Sequence, residues 1–296
     1  SIEPKTEELT VTENGVYESA LDGYSKVTVN CPPAPTAEEL IITGDCSGRF
    51  GYDGWNWIID KYGDRMTTTN ITNVEKMFAY CNLTSIPFTI NISASSSTSI
   101  SNMFSSCKKL TDIPDIYITI KKDPGGISAT NAFGSCYELK TLPYIYNYQP
   151  GSMSSFFTYC HSIRTIPEDY TDTWDTKHLY YTENMFNCCY SLRAIPERFM
   201  NKLQDKSSSS AYSTYGGMFS TCYSLDEIEK LFVATTNAYT SNMFGSTFNS
   251  CNRLKDITFR TNEDGTPITA RWKSQTIDLT KVGFVEHNGT LTPSTL

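Results

Sequence analysis

The sequence predicts an α/β solenoid of about seven coils, in which each coil contributes a short helical turn and a strand. A Phe-x-x-Cys phrase occurs seven times, and each copy is followed by aliphatic residues and usually by a proline. Cysteines of successive copies stand 24 to 33 residues apart, a period typical of units that stack and share a core. We call these the ladder cysteines: Cys81, Cys107, Cys136, Cys160, Cys189, Cys222 and Cys251.

Residues 1–35 are predicted to form a small all-β module that ends in a proline-rich linker. β-branched residues alternate on both sides of Asn14-Gly15 and Asp22-Gly23, which are dipeptides typical of tight hairpin turns. About 30 residues rarely stabilise a core alone, so we expect the module to need a neighbour. Residues 36–74 are expected to form the N-terminal cap of the solenoid.

The repeats occupy residues 75–260, and the copy around Phe104 illustrates their pattern. Phe104, Cys107 and Leu110 recur every third residue, which predicts a short α-helical or 3₁₀ turn with one apolar side. Pro114 ends this turn, because the residue before a proline is excluded from the α region. A strand is predicted next, with alternating Ile116, Ile118 and Ile120.

The last two copies lack the proline. Residues 261–296 are expected to form the C-terminal cap and tail, since terminal repeats cover an exposed core.

The segments 132–143 (AFGSCYELKTLP) and 185–196 (MFNCCYSLRAIP) resemble the BspA-like, or Treponema-type, leucine-rich repeats of bacterial and phage surface proteins. The resemblance extends over roughly residues 75–260 and implies a leucine-rich-repeat scaffold for adhesion and recognition. The inserts 121–129 and 201–215 are longer than in the tightest members of that family. Binding specificity is expected to lie in such inserts.

The segment from Leu9 to Pro35 resembles a short β-module common in structural proteins of bacteriophages and prophages. This resemblance implies a location in the virion, where the module docks on another structural protein and the repeats face outward. The first residues lack the apolar run of a signal peptide, which agrees with release by lysis. A bacterial cell-surface adhesin of the BspA-like family is the alternative, and it requires an export signal on the precursor.

Charge and hydropathy exclude some classes of partner. The chain has 24 Lys and Arg against 32 Asp and Glu, a net charge of −8, whereas nucleic-acid-binding proteins usually carry a basic stripe. No run of about 20 apolar residues predicts a membrane span. We therefore expect that the protein neither binds nucleic acid nor inserts into a membrane. The expected ligand is a bacterial surface glycan or protein. Whether the chain forms a homo-oligomer is left open.

The ladder cysteines are expected to be reduced, buried thiols. If they lie on packed helical turns, neighbouring backbones stand about 8–10 Å apart, beyond the reach of about 7 Å for a disulfide. A chain of zinc sites or of disulfide bridges is the less favoured alternative, and no Cys-x-x-Cys occurs. A bridge between Cys31 and Cys46 stays open.

Nothing in the sequence predicts an enzyme, a cofactor, a metal site or a catalytic residue. The histidines are His161, His178 and His287, in unrelated surroundings. His161 follows Cys160, which suggests a Cys–His dyad. However, three other copies have Tyr after the ladder cysteine, so His161 is interpreted as an exposed variant of that position. A glycan-degrading enzyme is the third and least favoured function.

Four tyrosines are the candidate binding residues. Tyr144, Tyr146 and Tyr148 share one parity of a predicted strand, and Tyr117 lies in the previous coil. A tyrosine offers a flat apolar face and a hydroxyl, which suits sugars and protein partners. The alternative is that these rings pack over the sheet.

Overall fold

The computed structural model describes most of the repeat region and parts of both ends. The described residues are 5–11, 24–29, 39–51, 59–60, 62–204, 216–231, 238–239, 246–254, 256–259, 269–272, 275–278, 284–287 and 290–293.

Seven strands follow one another in a single sheet, in the order in which they occur along the chain, and every neighbouring pair is parallel. Strands that pair in this way must each return to the same end of the sheet, so the chain winds as a parallel β-solenoid. The solenoid is therefore confirmed. The strands are β1 (Lys5–Val11), β2 (Tyr24–Val29), β3 (Glu39–Asp45), β4 (Met66–Asn73), β5 (Ile90–Ala94), β6 (Ile116–Ile120) and β7 (Ile145–Tyr146).

A second parallel sheet has the strand order Asp256–Phe259, Glu227–Leu231, Ala194–Ile195, and the described strands of the C-terminal region pair mainly antiparallel. Helix is nearly absent from the described residues. The remaining elements are β8 (Ala194–Ile195), the helix α1 (Glu197–Gln204), β9 (Glu227–Leu231), β10 (Ala238–Tyr239), β11 (Asp256–Phe259), β12 (Thr269–Trp272), β13 (Gln275–Asp278), β14 (Phe284–His287), β15 (Thr290–Pro293) and a 3₁₀ turn (Gly63–Arg65).

The Phe-x-x-Cys phrases form turns rather than helices, which corrects the α/β class to a β-solenoid. Each phrase, together with the two residues before it, contains two residues in the left-handed backbone region, four positions apart, with φ between 54° and 64°. A left-handed residue at every fourth position interrupts a right-handed helix. The pairs are Lys76/Tyr80, Asn102/Ser106, Asn131/Ser135, Ser155/Tyr159, Asn184/Cys188, Gly217/Thr221 and Ser246/Ser250.

The backbone of each turn divides its hydrogen bonds between its own coil and the next coil. The N–H groups of Asn102 and Phe104 donate to carbonyl oxygens of the following coil, at 2.9 and 2.7 Å. The N–H of Ser105 donates back to the Asn102 carbonyl at 3.0 Å. The backbone N–H groups of Cys107 and Leu110 also donate to the carbonyl oxygen three residues earlier. The spacing of three in the sequence therefore reflects consecutive hydrogen-bonded turns.

A column of eight phenylalanines fills the centre of the stack. Ring centroids of successive members lie 5.0–5.9 Å apart, and their planes are within 22° of parallel. Burial of one such ring contributes about 1.5–3 kcal/mol, and each aromatic pair adds about 0.5–1.5 kcal/mol. The column consists of Phe50, Phe78, Phe104, Phe133, Phe157, Phe186, Phe219 and Phe248.

The ladder cysteines are buried free thiols, but the distance argument for that state was wrong. Turns that exchange backbone hydrogen bonds lie about 4.8 Å apart, as neighbouring strands do, which is within reach of a disulfide. From Cys107 onward, each thiol donates to the carbonyl oxygen of the phenylalanine in the preceding copy, at 2.9–3.1 Å. Cys46 is also a buried free thiol, and Cys31 lies outside the described residues.

Strands β1 and β2 lie within residues 1–35, where the sequence predicts a separate module with hairpin turns. The structure pairs β1 with β2 in parallel, and β2 continues into the solenoid sheet by pairing with β3. Parallel strands cannot be joined by a two-residue turn. The dipeptides Asn14-Gly15 and Asp22-Gly23 lie outside the described residues.

Stability should fall steeply above pH 9. Burial raises the pKa of the ladder thiols above the ordinary value of 9.0, although the Cys107 hydrogen bond is the largest cause for Cys81. The stabilisation that comes from keeping these thiols protonated is complete below pH 9. It is lost as the pH rises toward the pKa values of the folded state, because in that range only the thiols of the unfolded chain ionise. At about pH 10 each thiol that stays protonated in the folded state lowers the free energy of unfolding by about 1.4 kcal/mol. Urea unfolding under reducing conditions measures this, and equal midpoints at about pH 8 and pH 10 would contradict it.

Thr221→Gly should stabilise the protein by roughly 0.5–1 kcal/mol, because Thr221 is a β-branched residue with φ of 64°. Asn102→Gly is the matched control. Asn102 also has a positive φ of 54°, but asparagine tolerates that region and its Oδ1 accepts from Asn131 Nδ2 at 2.9 Å. Denaturant unfolding should separate the two variants, and an equal loss of stability in both would refute the strain argument.

Candidate functional site

Three of the four candidate tyrosines form one cluster beside the sheet. The rings of Tyr117 and Tyr146 are stacked with centroids 4.8 Å apart, and Tyr146 is stacked on Tyr144 at 5.8 Å. The register of β6 and β7 places Tyr117 directly opposite Tyr146. Tyr117 is exposed, whereas Tyr144 and Tyr146 are partly exposed. We call Tyr117, Tyr144 and Tyr146 the tyrosine surface.

Two carboxylates flank the tyrosine surface. The Tyr144 hydroxyl donates to Asp169 Oδ1 at 2.8 Å, and this hydrogen bond raises the pKa of Tyr144 to about 12. Asp115 Oδ1 accepts from the Tyr144 backbone N–H at 3.1 Å. Burial, followed by the charge of Asp115, raises the pKa of Tyr146. The tyrosine surface therefore combines neutral phenols with fixed hydrogen-bond acceptors.

Tyr148 does not belong to the tyrosine surface, because it is fully buried. Asn147 has φ of 58°, which ends the extended backbone after Tyr146 and turns the next side chain inward. The Tyr148 hydroxyl donates to the Ile127 carbonyl at 3.3 Å, and its ring meets Trp174 edge to face at 5.1 Å. Tyr148 therefore packs in the core, which is the alternative role that the sequence left open for the four candidate tyrosines.

A second column of side chains lies directly after the ladder cysteines. Its rings are stacked with centroids 4.3–5.2 Å apart and planes within 21° of parallel. Lys108 Nζ lies 5.5 Å from the centroid of its first ring. Tyrosines at this position are visible in the sequence, but their stacking into one surface is not. We call this set the outer column: Lys108, Tyr137, His161, Tyr190 and Tyr223.

His161 occupies the same position as the tyrosines of the outer column, as the sequence indicated, but it is partly buried in the stack rather than exposed. Burial lowers the pKa of its imidazole, and the nearby Glu138 carboxylate opposes this. The Cys160 thiol donates to the Phe133 carbonyl at 3.1 Å, and burial raises its pKa strongly. A thiol held in this way is a poor nucleophile, because the thiolate is the reactive form.

Within the described ranges, no three or more His, Cys, Asp or Glu side chains form a group that could hold a metal ion. Of the helices in the described part of the chain, none is long and apolar enough to cross a membrane.

Comparison with known proteins finds no matching family model, no matching curated protein and no matching solved structure.

Tyr148→Ala should destabilise the protein by about 3–5 kcal/mol, because it opens a cavity beside Trp174 and removes a buried hydrogen bond. Tyr146→Ala is the matched control and should cost about 1 kcal/mol or less, since it removes a partly exposed ring. Thermal or urea unfolding of the two variants measures the difference. Similar losses in both variants would contradict the assignment of Tyr146 to the surface.

Proposed function

We propose that this chain is a non-enzymatic adhesion protein that binds a bacterial surface structure through the tyrosine surface. The observation that carries the proposal is the Tyr117–Tyr146–Tyr144 stack, which presents rings and hydroxyls beside the carboxylates of Asp115 and Asp169. Aromatic side chains on a rigid scaffold give contact area with little loss of conformational entropy. Such a surface suits sugar rings or a protein loop.

We further propose that the solenoid is a BspA-like leucine-rich-repeat array, in which each Phe-x-x-Cys phrase marks one of seven coils. The regular recurrence of the phrase and the stacking of its turns support this proposal. The phenylalanine joins the ring column in every copy, and the cysteine makes the same thiol-to-carbonyl bond in the six copies from Cys107 onward, which supports it as well.

The proposed location is the virion of a bacteriophage, as a tail-fibre, head-fibre or receptor-binding component. The segment from Leu9 to Pro35 supports this through its resemblance to phage structural modules. In that setting the N-terminal strands dock on another structural protein and the solenoid carries the receptor contact. A bacterial cell-surface adhesin with the same binding surface is the alternative, and genes for capsid or tail proteins beside this gene would distinguish the two.

The double variant Tyr117→Ala/Tyr146→Ala should lose binding to bacterial cells while it keeps its melting temperature within a few degrees. The measurement uses labelled protein on a panel of bacterial strains and on an array of bacterial surface glycans. Tyr180→Ala/Tyr181→Ala is the matched control, because it removes another neighbouring ring pair, with centroids 4.7 Å apart. Equal binding by the two double variants would refute the role of the tyrosine surface.

A further inference from the structure

A row of cations runs beside the outer column. Three positions after Tyr137, His161 and Tyr190, the chain has Lys140, Arg164 and Arg193. All three cations are exposed, and none of them makes an ion pair with another described residue. We call these three residues the basic row.

Coil stacking fixes the order of the basic row. The Arg193 backbone N–H donates to the Arg164 carbonyl at 3.0 Å, so these residues occupy equivalent positions in adjacent coils. Tyr137, His161 and Tyr190, which lie three positions before the cations, are stacked in the same order. One cation therefore occupies each of three successive coils, at a spacing of about 4.8 Å, as in paired strands. The Asp226 N–H donates to the Arg193 carbonyl at 3.0 Å in the same way, so a carboxylate ends the basic row in the next coil.

This face departs from the charge of the whole protein. The four segments 107–114, 136–143, 160–167 and 189–196 contain five Lys and Arg residues and only two carboxylates, although the chain has a net charge of −8. The next segment, 222–229, contains three carboxylates and no cation, so the basic character is confined to these four coils. Lys108 and Lys109 extend the basic character to the N-terminal end of the outer column. The two carboxylates of the four segments are Asp112 and Glu138.

We propose that the outer column and the basic row together bind a linear acidic polysaccharide, which lies along the solenoid axis. A carboxylate on the polymer pairs with a cation in each of these three coils. Sugar hydroxyls meet the phenol hydroxyls of the outer column and the serines beside them, Ser162, Ser191 and Ser224. The proposal rests on this face alone and does not depend on the tyrosine surface.

The stacking of the rings favours a polysaccharide over a nucleic acid. Neighbouring rings in the outer column cover each other's faces at 4.3–5.2 Å, so the column offers mainly ring edges and hydroxyls. Binding of single-stranded nucleic acid relies on open aromatic faces for base stacking.

Binding of polygalacturonate to the full chain tests the proposal, with neutral dextran and a single-stranded DNA oligonucleotide as competing probes. We expect polygalacturonate to bind, and its affinity to fall as NaCl rises from about 50 mM to about 500 mM. Lys140→Gln/Arg164→Gln/Arg193→Gln should weaken binding by roughly tenfold or more. Lys76→Gln/Lys121→Gln/Lys122→Gln, which changes three other exposed lysines by the same total charge, should stay within about twofold of the parent.

The proposal is overturned if polygalacturonate does not bind, if both triple variants lose affinity equally, or if dextran or the DNA binds at least as tightly. Tyr117→Ala/Tyr146→Ala should keep full affinity for polygalacturonate. This variant separates the two surfaces, since a failure of the basic row leaves the tyrosine surface untouched.

Discussion

Hydrogen bonds between successive turns are the constraint on which the rest of this structure depends. Because N–H groups such as those of Asn102 and Phe104 donate to the next coil, equivalent side chains are held close enough for direct contact. The phenylalanine column, the thiol-to-carbonyl bonds and the outer column all follow from this single spacing. A repeated sequence position therefore becomes a continuous line of identical interactions, and stability accumulates from neighbour to neighbour.

The sequence was sufficient to predict a solenoid, the strand at Ile116–Ile120 and the inward position of Phe104, Cys107 and Leu110. It did not predict the backbone, because a spacing of three fits both a helical turn and a series of turns with left-handed residues. Asn102 and Ser106 were the available signal, since such residues tolerate positive φ. Phe50 was overlooked because its phrase has no cysteine.

The candidate site was predictable in part. Parity along the strand correctly grouped Tyr144 with Tyr146, and Tyr117 joined them through the register of the parallel pair. Parity failed at Tyr148, because Asn147 ends the extended backbone there. The outer column was visible in the sequence as aromatic residues at one repeat position, but its meaning required the distance between coils.

The direction of the bonds between coils determines how the solenoid responds to mechanical tension. These bonds lie along the solenoid axis, so a pull on the two ends loads the interfaces between coils in series. Each interface then experiences the full force, and the weakest one opens first while the others remain closed. A force across the axis is instead shared by many bonds at once, so the direction in which force is applied governs how much tension the stack withstands.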